Sequence, residues 1–74
     1  MTMDQVKKAA ARGRPFVLSM ADGKEYPVPQ SDFISFPPKG SFVVVWSEGE
    51  EESVFDILPL LTMTGIHWVE EPLR

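Results

Sequence analysis

Apolar and polar residues alternate from Phe16 to Val28, and this pattern predicts a β-hairpin together with its register. A two-residue turn at Asp22-Gly23 would scatter the apolar side chains over both faces of the hairpin. A three-residue loop, residues 21–23, instead places Leu18 opposite Tyr26 and Phe16 opposite Val28, so that one face is continuous and apolar. We therefore predict the three-residue loop, with Gly23 in the left-handed backbone region and strands over residues 16–20 and 24–29.

The segment before the hairpin has the pattern of a short helix over residues 2–12. Thr2 and Gln5 have the spacing of a capping box, and Gly13 and Pro15 end the helix. Its apolar stripe is narrow, and an isolated helix of this length is marginal in water. We expect the helix to dock on the sheet or on a neighbouring subunit.

The segment after the hairpin begins with a long loop, residues 30–41, around a short apolar piece that could be extended. The run Phe42–Trp46 is apolar on both faces, which is typical of a central strand or of a strand whose outer face is covered by something else. An acidic turn at Ser47–Glu52 follows, and Pro59 interrupts the next strand before a tight turn and a last strand. The three strands predicted here cover residues 42–47, 53–58 and 62–69.

This order of elements predicts an α+β fold that is mostly β. We expect an N-terminal helix followed by five antiparallel strands, which form a small SH3-like or Sm-like barrel or a strongly bent sheet. The length of 74 residues predicts a single domain over residues 1–74.

Four local motifs occur in the same order as in a group of short uncharacterised bacterial proteins: Arg14-Pro15-Phe16, Ala21-Asp22-Gly23, Asp32-Phe33 and Ile57-Leu58. The chain resembles that group over nearly its whole length, and the resemblance implies no activity. The element order also resembles the Sm-like family of SH3-like barrels, which would imply an RNA-binding ring. The chain has Ser35-Phe36 where that family has an asparagine, and it lacks the family's Arg-Gly pair near the fourth strand.

Charge and composition narrow the classes of function. Residues 1–39 carry six basic and four acidic side chains, whereas residues 40–74 carry one basic and seven acidic, for a net charge of −4. An acidic chain is a poor candidate for non-specific nucleic-acid binding. There are no cysteines, no apolar run long enough to cross a bilayer and no signal-peptide pattern, so we expect a soluble, cytoplasmic protein without a membrane partner.

Few residues in this chain have catalytic or metal-binding chemistry. His67 is the only histidine, and it stands between the apolar residues Ile66 and Trp68. The acidic run Glu48–Glu52 lacks the ligand spacing of a calcium loop. We therefore expect no catalytic residue, no metal site and no cofactor.

Basic residues are concentrated near the predicted helix, where Lys7, Lys8, Arg12 and Arg14 are candidate phosphate contacts. Cations at the end of a helix also complement its dipole, and Asp4 can pair with Lys8 one turn later. Local electrostatics is the explanation we favour for these residues, and nucleic-acid binding is the alternative.

Large apolar side chains are more numerous than one small barrel can hide. We expect self-association into a homo-oligomer, by strand pairing or through the loop that contains Phe33 and Phe36, with Val43 and Val45 as further candidate interaction residues. The function we predict is a non-enzymatic interaction module. The alternatives are an Sm-like RNA-binding ring and a small-molecule binder with Tyr26, Trp46 and Trp68 at the barrel mouth.

Overall fold

The computed structural model describes residues 1–48 and 53–69, which form one α-helix and six β-strands. Residues 49–52, in the predicted acidic turn, and the tail at 70–74 lie outside the described residues. The elements are α1 (Met3–Ala11), β1 (Phe16–Met20), β2 (Glu25–Val28), β3 (Ile34–Ser35), β4 (Phe42–Glu48), β5 (Ser53–Pro59) and β6 (Met63–Trp68), with 3₁₀ turns at Ser31–Phe33 and Leu60–Thr62.

Helix α1 begins with the predicted capping box. The Gln5 backbone N–H donates to Thr2 Oγ1 at 3.2 Å, and the Thr2 N–H donates to Gln5 Oε1 at 2.9 Å. Val6, Ala9 and Ala10 are the buried residues of the helix, and Gly13 follows with a φ of 72°. The predicted helix is thus confirmed, within one residue at each end.

The hairpin has the predicted three-residue loop and register. Phe16 pairs with Val28 and Leu18 with Tyr26, and Gly23 has a φ of 89°. The Met20 N–H donates to the Lys24 carbonyl at 2.9 Å, which closes the loop. Asp22 Oδ1 accepts a further hydrogen bond of 2.9 Å from the Lys24 N–H and stiffens the turn.

The strands form two antiparallel sheets of three strands each, in the orders β2-β1-β6 (sheet A) and β3-β4-β5 (sheet B). The α+β class with an N-terminal helix is therefore confirmed, but a closed barrel and a count of five strands are wrong. The physical reason lies at the end of β2. Pro27 and Pro29 cannot donate to a ladder and the 3₁₀ turn follows, so the chain leaves sheet A and then pairs with β4 only at Ile34 and Ser35.

The core lies between the two sheets and the helix. The side chains of β1 that face it, Phe16, Leu18 and Met20, are buried, as are Val43 and Val45 of β4. The other buried apolar residues are Val6, Ala9, Ala10, Val28, Ile34, Leu58, Leu60 and Met63. Within the described part of the chain, no helix has the length and hydropathy needed to cross a membrane.

Candidate interaction surface

The side of sheet B that faces away from the core is apolar along its two long strands. Three cross-strand pairs lie on it: Phe42 with Pro59, Val44 with Ile57, and Trp46 with Phe55. Their neighbours Val43, Val45 and Leu58 alternate with them and point into the core. We call the six outward residues, Phe42, Val44, Trp46, Phe55, Ile57 and Pro59, the outer β4–β5 face.

The outer β4–β5 face is open to solvent. Phe55 is 53% exposed, Ile57 57% and Trp46 37%, although all three are large and apolar. Phe42 and Val44 are half-buried but do not belong to the residues packed against the core. No described segment covers this face, because the helix packs on the opposite side of β4.

Two of the three aromatic side chains of the face, Trp46 and Phe55, are held in position. The ring centroids of Trp46 and Phe55 are 5.3 Å apart, with an angle of 46° between the ring planes. Trp46 Nε1 donates to the Ser35 hydroxyl of the neighbouring strand at 3.1 Å. A tryptophan whose N–H is already bonded and whose ring is packed loses little further freedom on binding.

The edges of sheet B are less suited to association than its face. Strand β3 has only two residues, and the last residue of β5, Pro59, has no N–H to donate. Asp56 lies in the middle of β5, half-buried on the core side. An inward-pointing charge and a proline are the features by which natural edge strands avoid pairing with another chain.

The sequence-predicted interaction residues fall in two places. Val43 and Val45 are 0% and 3% exposed, so their side chains belong to the core and cannot contact a partner. Phe33 and Phe36 are half-buried and pack against that core, and their role at an interface stays a prediction. Sequence reasoning identified an excess of apolar side chains on β4 but assigned the wrong half of the alternation, since the covered half is decided by the packing of the helix and sheet A on one side of β4.

The candidate phosphate contacts are also divided. The guanidinium groups of Arg12 and Arg14 lie 5.2 Å and 5.5 Å from the centre of the Trp68 ring, whereas Lys7 Nζ lies 5.9 Å from the centre of the Phe36 ring. Lys8 is exposed on the helix. Trp68 also contacts Phe16 edge to face, with centroids 6.1 Å apart. Two arginines thus stack against the partly exposed indole of Trp68 at the end of sheet A.

The three aromatics expected at a barrel mouth have different surroundings. Tyr26 lines a cleft of about 240 Å³ along the free edge of β5, whereas Trp46 packs on Phe55 and Trp68 on Phe16. The other lining residues are Met20, Ala21, Asp22, Ile57, Leu58, Pro59 and Thr62. The cleft is smaller than the ~300–1,000 Å³ typical of small-molecule sites.

The remaining candidate for chemistry, His67, is exposed on the outer side of sheet A. It pairs with Val17, and its Nε2 lies 3.3 Å from the position that a Cβ would take on Gly65. Among the described residues, no group of three or more His, Cys, Asp or Glu side chains could hold a metal ion.

Comparison of the chain with protein-family models, with curated proteins and with solved structures finds no match.

Proposed function

We propose that this protein is a non-enzymatic interaction module that binds a protein partner through the outer β4–β5 face. One observation carries the proposal: three large apolar side chains, Trp46, Phe55 and Ile57, lie together on one sheet face with exposed fractions between 37% and 57%. Single exposed apolar residues are ordinary in proteins. A contiguous cluster of them is typical of an interaction site.

The composition of the face supports a protein partner. Tryptophan and other aromatics are enriched in the energetically important centres of interfaces, and this face has the aromatic pair Trp46–Phe55 beside further apolar side chains. A partner that covers this face removes its apolar surface from water, which contributes about 25 cal/mol of favourable binding free energy for each Å² buried.

A photocrosslinking amino acid tests this proposal in intact cells. We expect p-benzoylphenylalanine in place of Phe55 to give discrete adducts of defined mass, because the substituted ring points toward the partner. The matched control carries the same residue in place of Val17, on the outer side of sheet A. Adducts at position 55 that are no stronger or more discrete than those at position 17 would exclude a docking role for the outer β4–β5 face.

A second candidate function is RNA binding, as in the Sm-like rings. The stacking of Arg12 and Arg14 on the partly exposed Trp68 ring supports it, since cationic side chains beside an aromatic ring suit single-stranded nucleic acid. Under this alternative the purified protein carries nucleic acid and an elevated 260-to-280 nm absorbance ratio. It also gives a steeply salt-dependent anisotropy change with single-stranded RNA, and a flat titration at low salt would remove the candidate.

A further inference from the structure

We propose that the partner of the outer β4–β5 face is a second copy of this chain, stacked face to face with its strands running in the opposite direction. The inference rests on the proposed function and names the occupant of the same surface. In this arrangement a two-fold axis lies between the two sheets, perpendicular to the strands, at the level of Val44 and Ile57.

The shape of the face supports self-complementarity in this orientation. The aromatic pair Trp46–Phe55 is at one end, the smaller Val44–Ile57 pair is in the middle, and Phe42–Pro59 is at the other end. The two-fold operation places each aromatic pair over the Phe42–Pro59 pair of the second copy and Ile57 against its own equivalent. Two sheets packed in this way lie about 10 Å apart, and their side chains interdigitate in the space between them.

The distribution of charge selects the opposed direction over the same direction. Glu48 ends β4, and the sequence that joins it to β5 contains Glu50, Glu51 and Glu52. Lys39 is exposed just before the other end of β4. Strands in the same direction would bring the Glu48 ends of the two β4 strands together, whereas opposed strands bring the Glu48 end of each β4 toward the Lys39 end of the other copy.

The available area fits a weak dimer. The exposed fractions of Trp46 and Phe55 leave roughly 100 Å² on each side chain, because an aromatic side chain buries about 150–250 Å². With the rest of the face, two copies would bury on the order of 1,000 Å², which is the lower limit for a specific interface. We therefore expect dissociation in the micromolar range and not a permanent dimer.

Analytical ultracentrifugation of the purified 74-residue chain, from low micromolar to near-millimolar concentration, tests the identity of the partner. We expect the mass to rise with concentration from 8.3 kDa toward twice that value. Ile57→Lys places a charge at the centre of the face and should keep the protein monomeric. Val17→Lys makes the same kind of change on sheet A and should dimerise like the unmodified chain, and circular dichroism establishes that both variants are folded.

Single-cysteine variants test the orientation of the two copies. Any crosslink must form at the introduced cysteine, because the chain has no cysteine of its own. With a short bis-maleimide, Ile57→Cys should give a covalent dimer, since position 57 lies next to its equivalent across the axis. Phe55→Cys and Val17→Cys should not. Lys39→Glu should weaken the dimer about two- to fivefold, as expected for a charge at the rim, while Lys24→Glu in the β1–β2 loop should not.

Three results would overturn the inference: an unmodified chain that stays at 8.3 kDa at the highest concentration, an assembly that survives Ile57→Lys, or crosslinking of Phe55→Cys but not Ile57→Cys. The photocrosslinking experiment separates this failure from that of the proposed function. A monomeric chain whose position 55 crosslinks to one other protein refutes the second copy but retains the docking face. A monomeric chain with no specific adduct refutes both.

Discussion

At the scale of single residues, Gly40 marks a point of close packing between the helix and the loop before β4. A Cβ added there would lie 2.9 Å from the Pro37 carbonyl oxygen and 3.2 Å from that of Phe42, and it would also collide with Cε of Met3. The methionine can move, but the two backbone oxygens cannot do so without shifting the start of β4. Gly40 is therefore required by space and not by a positive φ.

We expect Gly40→Ala to lower the free energy of unfolding by about 1–3 kcal/mol, the usual cost of overpacking a close contact. The measurement is urea denaturation followed by tryptophan fluorescence. The matched control is Gly65→Ala, where the nearest atom to an added Cβ is the movable imidazole of His67 at 3.3 Å. Equal effects of the two changes would contradict the steric explanation.

Ser19 gives a second prediction at this scale. Its Oγ is buried and has no hydrogen-bond partner among the described residues, whereas Ser35 Oγ accepts from Trp46 at the surface. Removing an unsatisfied buried hydroxyl is neutral or stabilising, so we expect Ser19→Ala to raise the free energy of unfolding by up to about 1 kcal/mol. Ser35→Ala, in thermal unfolding under the same conditions, should lower it slightly. A clear loss of stability in Ser19→Ala would show that its hydroxyl is satisfied in solution.

At the scale of elements, the helix depends on its first turn. The side chains of Thr2 and Gln5 each accept a hydrogen bond from the other residue's backbone N–H. These two bonds matter because a helix of nine residues has few backbone hydrogen bonds of its own. We expect Thr2→Ala to cost about 1 kcal/mol and to reduce the amide protection of the first helical turn in hydrogen exchange. Lys8→Ala, in the exposed part of the same helix, should have a smaller effect, and equal loss in both variants would argue against the capping box as the cause.

The elements also show which parts of the fold a sequence can predict. The helix and hairpin were predictable because each depends on local signals: a capping pair three residues apart, and an alternation whose two registers give different faces. The separation into two sheets depends on where β2 stops, and Pro27 and Pro29 indicated a break without indicating what comes after it. Strand β3 was predicted only as a short apolar piece that could be extended and not as a strand, because its two residues, Ile34 and Ser35, are too few to show a periodic pattern.

At the scale of the whole molecule, the sequence predicted that apolar side chains are in excess. It did not predict where on the surface the excess lies. The sequence shows that β4 is apolar on both sides, yet only the packing of the helix and sheet A determines that Val43 and Val45 are covered while Val44 and Trp46 are not. Similarly, the separation of Tyr26, Trp46 and Trp68 into three environments depends on tertiary structure. Side-chain chemistry was identifiable from the sequence, and its spatial grouping was not.

The stability of the whole molecule should depend on its own concentration if the outer β4–β5 face binds a second copy. Dimerisation stabilises the folded state by mass action, so above the dissociation constant a tenfold rise in concentration adds about 0.7 kcal/mol per chain. For a domain of this size that corresponds to an increase in Tm of roughly 3–5 °C. Scanning calorimetry at two concentrations measures it, with Val17→Lys expected to show the same increase and Ile57→Lys expected to show none. Ile57 is 57% exposed in the single chain, so we expect the Tm of Ile57→Lys to be close to the Tm that the unmodified chain has at high dilution. A Tm far below that value would mean that the Ile57 side chain stabilises the monomer itself.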